Sequence, residues 1–431
     1  MRRLAVLSLH TSPLAQPGTG DSGGMNVYVR ELSSALARAG VACDVYTRRY
    51  SEALPDTVFV EPGFEVHHVM AGPVTPVAKE HLHEHVDEFT EGVLAHMTHG
   101  KRARAPGTGI FGSLEDSPSA IHANYWLSGL SGHAIKHKLD LPLVSTFHTL
   151  DRVKAVASAE EEETAAGSRR ALAEAAIIGC SDALLASCTV EADQLVDLYD
   201  ASVDRIAVVP LGVDHAFFSP GERRAAQRAI GLDTGSGPLL LFVGRIQPLK
   251  GVDVAVRALA KLRDSRQRGA SGARLVVVGG PSGPHGSEEL AKLLALVADL
   301  GLQGSVTFVP PQPHELLSTY YRAADCCLVP SRSESFGLVA LEASACGVPV
   351  VAAAVGGLTT LVKDGRTGYL VDPDDADGFA ERVARIVTDP IHQADLGAGG
   401  HEMARQYTWA TAASRLRALY ADLTSRELVE C

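Results

Sequence analysis

Two glutamates eight positions apart are the residues of this 431-residue chain whose types and spacing point most directly to chemistry. Glu334 ends a polar loop, and Glu342 falls two turns into the helix predicted after Gly337. A helix behind a glycine-containing loop directs free backbone N–H groups and the positive end of its dipole toward a phosphate. One carboxylate can accept hydrogen bonds from sugar hydroxyls and the other from a ribose. The segment therefore predicts a nucleotide-sugar site.

A basic pair supports the same interpretation. Arg245 and Lys250 follow the predicted strand Leu239–Val243, within a Gly-Arg-x4-Lys-Gly pattern at residues 244–251. Two cations at the end of a strand can hold a diphosphate and neutralise its charge as it departs. The pair therefore predicts the leaving-group side of a transfer reaction.

A glycine-rich loop near the beginning of the sequence offers a second ligand surface. Residues 10–29 run from a predicted strand into a predicted helix and contain four glycines before Met25. Such a loop brings backbone N–H groups close to a charged or polyhydroxylated ligand. A different basic segment, residues 98–120 with Lys101, Arg102 and Arg104, is predicted to be a flexible surface loop.

Composition limits the classes of protein that need to be considered. The length predicts at least two domains, and 46% apolar residues suffice for sizeable cores. The net charge of −12 argues against non-specific binding of nucleic acid. No apolar run is long enough for a membrane span, and Met1-Arg2-Arg3 leads into a strand rather than a secretory signal. These features predict a cytoplasmic protein without stable membrane insertion.

The seven cysteines are predicted to be reduced and mostly buried. Their number is odd, they show no metal-ligand spacing, and most lie in apolar runs. They are Cys43, Cys180, Cys188, Cys326, Cys327, Cys346 and Cys431.

Short β-branched runs alternate with helical patterns almost throughout, which is typical of parallel sheets covered by helices. Strands are predicted at residues 4–9, 41–47, 65–70, 120–123, 143–146 and 183–187, and the run 206–214 closes this half. A second series is predicted at residues 239–243, 275–279, 306–309, 326–329, 350–354 and 368–371. The fold class is thus α/β, with two Rossmann-like domains that place helix N-termini on a central cleft.

The motifs together resemble a known family. Residues 10–29, 124–154, 244–251 and 321–351 are similar to the family four retaining glycosyltransferases with the GT-B fold. Within that family the chain is most similar to the D-inositol-3-phosphate glycosyltransferases of mycothiol synthesis and to the sucrose-phosphate-synthase-like group. The resemblance implies an acceptor-binding domain at residues 1–212 and a nucleotide-sugar-binding domain at residues 213–408. It also implies that a helix within residues 409–431 packs back on the first domain.

The resemblance also implies a set of site residues. The donor would contact His10, Gln16, Pro17, Gly24, Arg245, Lys250, Glu334, Ser335, Phe336, Gly337, Leu338 and Glu342. The acceptor would contact Asp21, Gly23, Asn26, Lys79, Tyr125, Thr149 and Arg169. The residues implied to act in catalysis are His148, Arg245, Lys250 and Glu334.

The reaction that the resemblance implies is transfer, with retention, from a nucleotide-diphosphate sugar to a small polar acceptor. The best match is UDP-N-acetylglucosamine with inositol 3-phosphate or a similar phosphorylated acceptor. Differences from the family pattern, such as Val348 in place of a threonine and the acidic run Glu160–Glu163, leave an alternative open. That alternative is an actinobacterial enzyme of secondary metabolism with another donor, for example a GDP-sugar, and another acceptor such as a thiol, as in lincosamide assembly. A nucleotide-sugar epimerase and a non-catalytic sugar-binding protein are further alternatives.

No cofactor is implied beyond the nucleotide sugar as co-substrate, and no catalytic metal is expected, although a non-catalytic magnesium ion is compatible with the pattern. The predicted partners are a small-molecule donor and acceptor, with no nucleic acid. A homodimer is left open.

Overall fold

The computed structural model describes residues 3–99, 117–157, 165–232, 237–264, 270–283 and 285–431. In these ranges the chain forms two α/β units, each built on one sheet. The basic residues Lys101, Arg102 and Arg104 and the acidic run Glu160–Glu163 lie outside the described residues. None of the described helices combines the length and the apolar character that crossing a membrane requires.

The first unit contains an eight-stranded sheet in the order β3-β4-β2-β1-β5-β6-β7-β8. All neighbouring strands are parallel except the edge pair β3 and β4. The strands are β1 (Arg3–Leu7), β2 (Ala42–Arg48), β3 (Thr57–Glu61), β4 (Phe64–Val69), β5 (Ile121–Asn124), β6 (Leu143–Thr146), β7 (Ala183–Ala186) and β8 (Ile206–Val208).

The second unit contains a six-stranded, fully parallel sheet in the order β11-β10-β9-β12-β13-β14. Its strands are β9 (Leu239–Val243), β10 (Arg274–Val278), β11 (Val306–Val309), β12 (Cys326–Val329), β13 (Val350–Ala353) and β14 (Gly368–Val371). Strands such as β12 and β13 are buried along their whole length because helices cover both faces of a parallel sheet. This is why they read as continuous apolar runs in the sequence.

Fifteen described α-helices accompany the two sheets. In the first half they are α1 (Gly24–Arg38), α2 (Val86–His99), α3 (Tyr125–Leu139), α4 (Asp151–Ala157), α5 (Ala165–Cys180) and α6 (Thr189–Tyr199). In the second half they are α7 (Arg223–Ala229), α8 (Val252–Asp264), α9 (Gly286–Asp299), α10 (His314–Ala323), α11 (Leu338–Ala345), α12 (Leu358–Leu361), α13 (Ala376–Val387), α14 (Pro390–Ala404) and α15 (Trp409–Leu423). Short 3-10 helices cover Lys79–His85, Val203–Arg205 and Pro248–Lys250.

The order of the strands determines where a ligand can bind. Strand order reverses at β1 in the first sheet, between β2 and β5, and at β9 in the second, between β10 and β12. In sheets of this kind the crevice lies beyond the carboxyl ends of the strands at such a reversal. The loops after β1, β5, β9 and β12 flank these reversals and are therefore the first places to look for a site.

Most predicted strands are confirmed, several with identical bounds, but two features of the first sheet differ from the prediction. Strand β3 was not predicted, because it is a solvent-exposed edge whose Phe59 is 63% exposed and therefore lacks the pattern of a buried strand. The run predicted as a strand over residues 206–214 pairs with β7 only over β8. The rest of that run leaves the sheet and leads toward the second unit.

Two segments that connect the units lie side by side. The backbone N–H of Val213 donates to the carbonyl of Tyr407 at 3.1 Å. A Cβ added at Gly212 would lie 2.2 Å from the backbone nitrogen of Trp409, so this close approach requires a glycine. Beyond it, α15 packs on the first unit, where Arg417 donates to the carbonyl of Ala39 at 3.1 Å. The helix ends at Leu423, earlier than residue 431, and the predicted boundary at residue 212 stays a prediction.

A buried histidine joins α15 to the first sheet and gives stability a dependence on pH. His122 on β5 contacts the Tyr420 hydroxyl through Nδ1 and the Thr146 hydroxyl through Nε2, both at 2.8 Å. Burial lowers the pKa of His122 to about 3. The unfolded chain, with a histidine pKa of about 6.5, therefore binds a proton that the folded chain does not.

Stability from this group is present above about pH 6.5 and is lost as the pH falls below that value. We expect His122 to reduce the free energy of unfolding by about 2 kcal/mol between pH 7 and pH 5. Denaturant unfolding at both pH values measures the change, with His122→Gln as the comparison. The variant is expected to be less stable at pH 7 but to lose less stability on acidification. Identical pH dependence in the two proteins would show that His122 does not carry the effect.

The prediction of seven reduced thiols is wrong for two cysteines. Cys180 and Cys431 form a disulfide across a sequence separation of 251 residues. The five others are free and buried, as predicted: Cys43, Cys188, Cys326, Cys327 and Cys346.

Candidate active site

A cavity of about 310 Å³ lies between the two units, beyond the carboxyl ends of β1, β5, β6, β9 and β12. Most of the predicted site residues line it. They are His10, Pro17, Asp21, Gly23, Gly24, Lys79, Tyr125, His148, Thr149, Arg245, Lys250, Glu334, Ser335, Phe336, Gly337, Leu338 and Glu342. Gln16, Asn26 and Arg169 are the predicted residues that do not line it.

Arg245 carries a half-buried charge that the described part of the protein does not neutralise with a salt bridge. Its Nη1 lies 3.5 Å from the carbonyl of Asp21 and 3.5 Å from the hydroxyl of Ser282. Burial lowers the pKa of Arg245, but a guanidinium remains charged in proteins. A cation that is largely removed from water is stabilised when it meets an anion. The position next to Gly244, at the end of β9, therefore favours binding of a diphosphate.

Lys250 and Glu334 form an ion pair at the cavity wall. Lys250 Nζ donates to Glu334 Oε2 at 2.6 Å, and both side chains are partly exposed to the cavity. Lys250 lies in the 3-10 helix after β9, while Glu334 lies in the loop between β12 and α11. The pair holds a cation and a hydrogen-bond acceptor at adjacent positions, as the diphosphate and sugar of one donor would require.

The N-terminus of α11 opens onto the same cavity. Gly337 precedes the helix with φ of 101°, a left-handed conformation that glycine adopts without strain, and no side chain caps the first turn. Gly337, Leu338 and Val339 line the cavity. Their free N–H groups and the helix dipole provide a second element of anion binding.

Glu342 is held by two partners that sequence reasoning missed. It accepts from the Tyr321 hydroxyl at 2.8 Å and contacts His314 Nε2 at 2.7 Å. Burial alone would lower the pKa of His314, but the adjacent Glu342 carboxylate raises it above its ordinary value. His314 begins α10 after the predicted strand 306–309, and that strand-end position was the available signal. A carboxylate oriented in this way suits a ribose hydroxyl.

His148 lies at the junction of the two units. Its Nε2 is 2.9 Å from Asn124 Oδ1, and its carbonyl accepts from the hydroxyl of Ser335. Burial, with a smaller effect from His122, lowers the pKa of His148 to about 3. The imidazole is therefore neutral near pH 7, with Nε2–H donating to Asn124. Nδ1 is left as a hydrogen-bond acceptor rather than a strong base.

His10 offers another acceptor atom. Its Nδ1 is buried and meets no hydrogen-bond partner within the described ranges. Burial, with smaller effects from nearby cations that include Lys79, lowers its pKa well below the ordinary value. The ring centroid lies 4.5 Å from that of Tyr125. His10 thus lines the cavity as a neutral ring.

Lys79, Tyr125 and Thr149 line the cavity on the side of the first unit, and Arg170 packs against Tyr125 and Thr149. Lys79 Nζ lies 5.2 Å from the Tyr125 ring centroid, and the guanidinium carbon of Arg170 lies 4.8 Å from it. Arg170 also donates to the Thr149 hydroxyl at 3.2 Å and to Glu174 at 2.7 Å. This set, which we call the phosphate cluster, comprises Lys79, Tyr125, Thr149 and Arg170. It combines a cation, a guanidinium and two hydroxyls.

Arg170, and not the predicted Arg169, packs against this set, although its guanidinium is paired with Glu174 and does not line the cavity. Arg169 is exposed and contacts His83, whereas Arg170 is buried next to Tyr125 and Thr149. Adjacent residues of an α-helix project about 100° apart, so only one of them can face the cluster.

The side chains of Asn26 and Gln16 form hydrogen bonds to other protein groups and do not line the cavity. Asn26 accepts from the backbone of Gly23 at 2.9 Å and donates to the Thr11 hydroxyl at 2.9 Å, which fixes the glycine-rich loop at the start of α1. Gln16 donates to the carbonyl of Pro311 at 3.0 Å, across the cleft. We therefore interpret both as residues that position the loop. Lys154, which the predicted set lacked, lines the cavity instead.

Comparisons with known proteins agree with this geometry. The family description "Glycosyl transferase 4-like domain" matches residues 23–212, and "Glycosyl transferases group 1" matches residues 223–403. Sucrose-phosphate synthase from Thermosynechococcus elongatus superposes with a TM-score of 0.86 at 33% identity, covering 98% of this chain and 99% of that one. HepE from Anabaena, solved with UDP and glucose, superposes at 0.73 and 17% identity over 98% and 100% of the two chains. The two facing sheets and the site between them define a glycosyltransferase with the GT-B fold, as predicted.

A curated relative specifies the family. The D-inositol 3-phosphate glycosyltransferase of Acidothermus cellulolyticus is 45% identical over 421 residues, which cover 98% of this chain and 90% of the relative. The chain belongs to the glycosyltransferase family that includes the D-inositol 3-phosphate glycosyltransferases. This confirms the resemblance found in the motifs.

Proposed function

We propose that the protein transfers N-acetylglucosamine, with retention of configuration, from UDP-N-acetylglucosamine to inositol 3-phosphate or a similar phosphorylated acceptor. The observation that carries the proposal is that Lys79, Tyr125 and Thr149 of the phosphate cluster line the same cavity as Arg245, Lys250 and the N-terminus of α11. One cavity with two separate anion-binding walls suits a diphosphate donor and a phosphorylated acceptor. The name of the A. cellulolyticus relative supports the choice of acceptor.

The roles on the donor side follow from the contacts. Arg245, Lys250 and the N-terminus of α11 would hold the diphosphate and stabilise its charge as it leaves. Glu342 would accept from the ribose, and Glu334 from hydroxyls of the transferred sugar. His148 would accept a hydrogen bond from that sugar through Nδ1. The UDP and glucose named in the HepE structure support a uridine nucleotide.

The state of the cavity carboxylates favours a front-face route. Glu191 accepts from the backbone and the hydroxyl of Ser187, while Glu334 is paired with Lys250 and Glu342 with Tyr321. Among the described residues, three of the four carboxylates that line the cavity are therefore already engaged, and the fourth, Asp21, belongs to the glycine-rich loop. The departing diphosphate would instead take the proton of the acceptor hydroxyl on the face where it leaves. Closing of the units around both substrates would exclude water and align the reacting atoms.

The proposal includes the remaining predictions from the sequence. Residues 1–212 would bind the acceptor and residues 213–408 the donor, in a cytoplasmic enzyme. The nucleotide sugar would be sufficient as co-substrate, with magnesium in no catalytic role. Whether two copies associate is a separate question that sedimentation can answer.

The deciding experiment is release of UDP from UDP-N-acetylglucosamine with and without inositol 3-phosphate, together with the mass of the product. Release that depends on the acceptor, with the mass of the glycoside, is the expected result.

Lys79→Ala should raise the KM for inositol 3-phosphate about 10- to 100-fold, because a charged hydrogen bond to the phosphate is lost. It should leave UDP binding unchanged.

Lys261→Ala is the matched control, since Lys261 pairs with Asp377 on the outer helices α8 and α13. It should leave the KM for inositol 3-phosphate unaltered. An equal KM in the Lys79 variant and the parent would show that the phosphate cluster does not bind the acceptor.

In the UDP-release experiment, release without an acceptor, accompanied by an altered sugar, would indicate an epimerase. Binding without release would indicate a non-catalytic protein.

A second cavity supports the alternative of a bulkier acceptor. It measures about 290 Å³ and shares Thr149, Lys154 and Glu334 with the first. An acceptor larger than inositol phosphate, including a thiol, can extend into this space. Activity with a GDP-sugar and a larger thiol acceptor, combined with no turnover of inositol 3-phosphate, would favour this alternative.

A further inference from the structure

Four side chains with metal-binding atoms meet on the outer side of the first unit, on α3, at the end of α5 and in the segment after α15. We call them the His-Cys cluster: His133, His137, Cys180 and Cys431. Each offers one ligand atom, and these atoms all lie within 4.8 Å of one another. None of the four residues lines either cavity between the units. The cluster is therefore separate from the candidate active site.

Three elements bring the cluster together. His133 and His137 are four residues apart on α3, so both project from one face of that helix. Cys180 is the last residue of α5 and is buried. Cys431 arrives from the segment beyond α15, which is fixed nearby because the backbone of Val429 donates to Asp182 at 2.7 Å.

The sulfur–nitrogen distances suit a tetrahedral ion, whereas the two sulfurs, which are bonded to each other here, must separate to bind one. Cys431 Sγ lies 3.3 Å from His137 Nε2 and 3.8 Å from His133 Nε2, and Cys180 Sγ lies 3.5 Å from His137 Nε2. Zinc bonds of about 2.3 Å to sulfur and 2.0–2.1 Å to nitrogen, at a tetrahedral angle, require sulfur–nitrogen separations of about 3.5 Å. Both imidazoles direct Nε2 at the sulfurs, which a disulfide alone does not require.

We propose that the His-Cys cluster, with both cysteines reduced, binds one structural zinc ion through His133 Nε2, His137 Nε2, Cys180 Sγ and Cys431 Sγ. Two thiols lose their protons to solvent as Zn²⁺ binds, and the imidazoles bind in their neutral form. Two thiolates then balance the two positive charges of the ion. The disulfide is the alternative state of the same cysteines, because disulfide sulfurs cannot act as thiolate ligands.

The charges around the cluster permit this occupancy. Lys136, between the two histidines, donates to both oxygens of Asp182 at 2.9 Å, so its charge is already compensated. The other group of candidate ligands in the described residues, Asp44, Glu65 and His67, differs in this respect. There Arg3 donates to both oxygens of Asp44 and takes the place that a cation would need.

A zinc ion at this position would attach the segment after α15 to α3 and α5. The five other cysteines are free and buried, which agrees with a reducing environment in which thiolates persist. The sequence spacing His-x3-His on α3 was the one local signal, whereas the two cysteines lie 251 residues apart.

The test is metal content and coordination in the full chain, purified with a reductant and supplied with zinc chloride and then dialysed. We expect about one zinc per chain, and cobalt substitution should give the thiolate-to-cobalt absorption of a tetrahedral site. Cys431→Ser and His137→Ala should each lower zinc affinity at least about tenfold. The controls Cys43→Ser and His285→Ala should retain it. Activity should not change in Cys431→Ser, since the cluster lies outside the cavities.

Two results would overturn the proposal. One is a zinc-free protein whose intact mass, under reducing purification, still shows the Cys180–Cys431 disulfide or two unligated thiols after exposure to zinc. The other is bound zinc that both Cys431→Ser and His137→Ala retain in full, since the ion would then lie elsewhere. Neither result depends on the proposed glycosyl transfer.

Discussion

Replacing Arg245 with alanine is expected to reduce kcat for sugar transfer by about 10²- to 10³-fold, the usual effect of losing one preorganised donor to a developing negative charge. The half-buried guanidinium has no salt-bridge partner among the described residues and lines the cavity. Its interaction with the leaving diphosphate should strengthen as the glycosidic bond breaks. Steady-state release of the nucleotide diphosphate measures the change, and calorimetry with the free nucleotide measures the loss of binding.

Arg405→Ala is the control, because this exposed arginine directly follows α14 and forms an ion pair with Glu402 of that helix. Arg245→Lys should lie between the parent and the alanine variant, since lysine keeps the charge but loses the planar fork. Full turnover in Arg245→Ala would refute the assignment of the diphosphate to this end of β9.

Glu334→Gln is expected to lower kcat by about 10- to 100-fold while leaving the affinity for the free nucleotide diphosphate nearly unchanged. The amide keeps the shape of the carboxylate but weakens its acceptance from sugar hydroxyls, and hydrogen bonds to charged groups contribute about 1.5–3 kcal/mol. It also ends the ion pair with Lys250. Comparing turnover of the nucleotide sugar with calorimetry of the nucleotide alone separates an effect on the sugar from one on the diphosphate.

The matched control is Glu402→Gln, an exposed glutamate that also forms an ion pair, with Arg405. It should behave as the parent in both measurements. If Glu334→Gln weakened the free nucleotide and the nucleotide sugar equally, Glu334 would act on the diphosphate through Lys250 and not on the sugar.

The donor side of the site was predictable because its chemistry is local in the sequence. Arg245 and Lys250 are five positions apart, and Glu334 and Glu342 flank a single loop–helix junction. Each pair directly follows a predicted buried strand, and the ends of these strands border the cavity. Their location could therefore be predicted without knowledge of distant contacts. The partners of Glu342 were not predictable in this way, since Tyr321 and His314 come from another helix.

The acceptor side was less predictable because it is assembled from separate segments. Lys79, Tyr125 and Thr149 follow different strands, and the phase of α5 decides between Arg169 and Arg170. A sequence indicates reliably that a helix is present. It indicates less reliably which of two adjacent helical residues faces inward. The His-Cys cluster shows the same limit, since only its two histidines are neighbours in sequence.

The close pairing of the two segments that connect the units has a mechanical consequence. Val213 and Tyr407 are hydrogen-bonded, and Gly212 packs directly against the backbone of Trp409. We therefore expect the two connecting segments to move together as one hinge. Sliding of one unit along the other would break this pairing, whereas rotation about it would not. The cleft should therefore open by rotation. That motion must break the hydrogen bonds from Gln16 to Pro311 and from Ser282 to Gly20, which cross the cleft. We therefore expect the glycine-rich loop to hold the cleft closed through these two contacts.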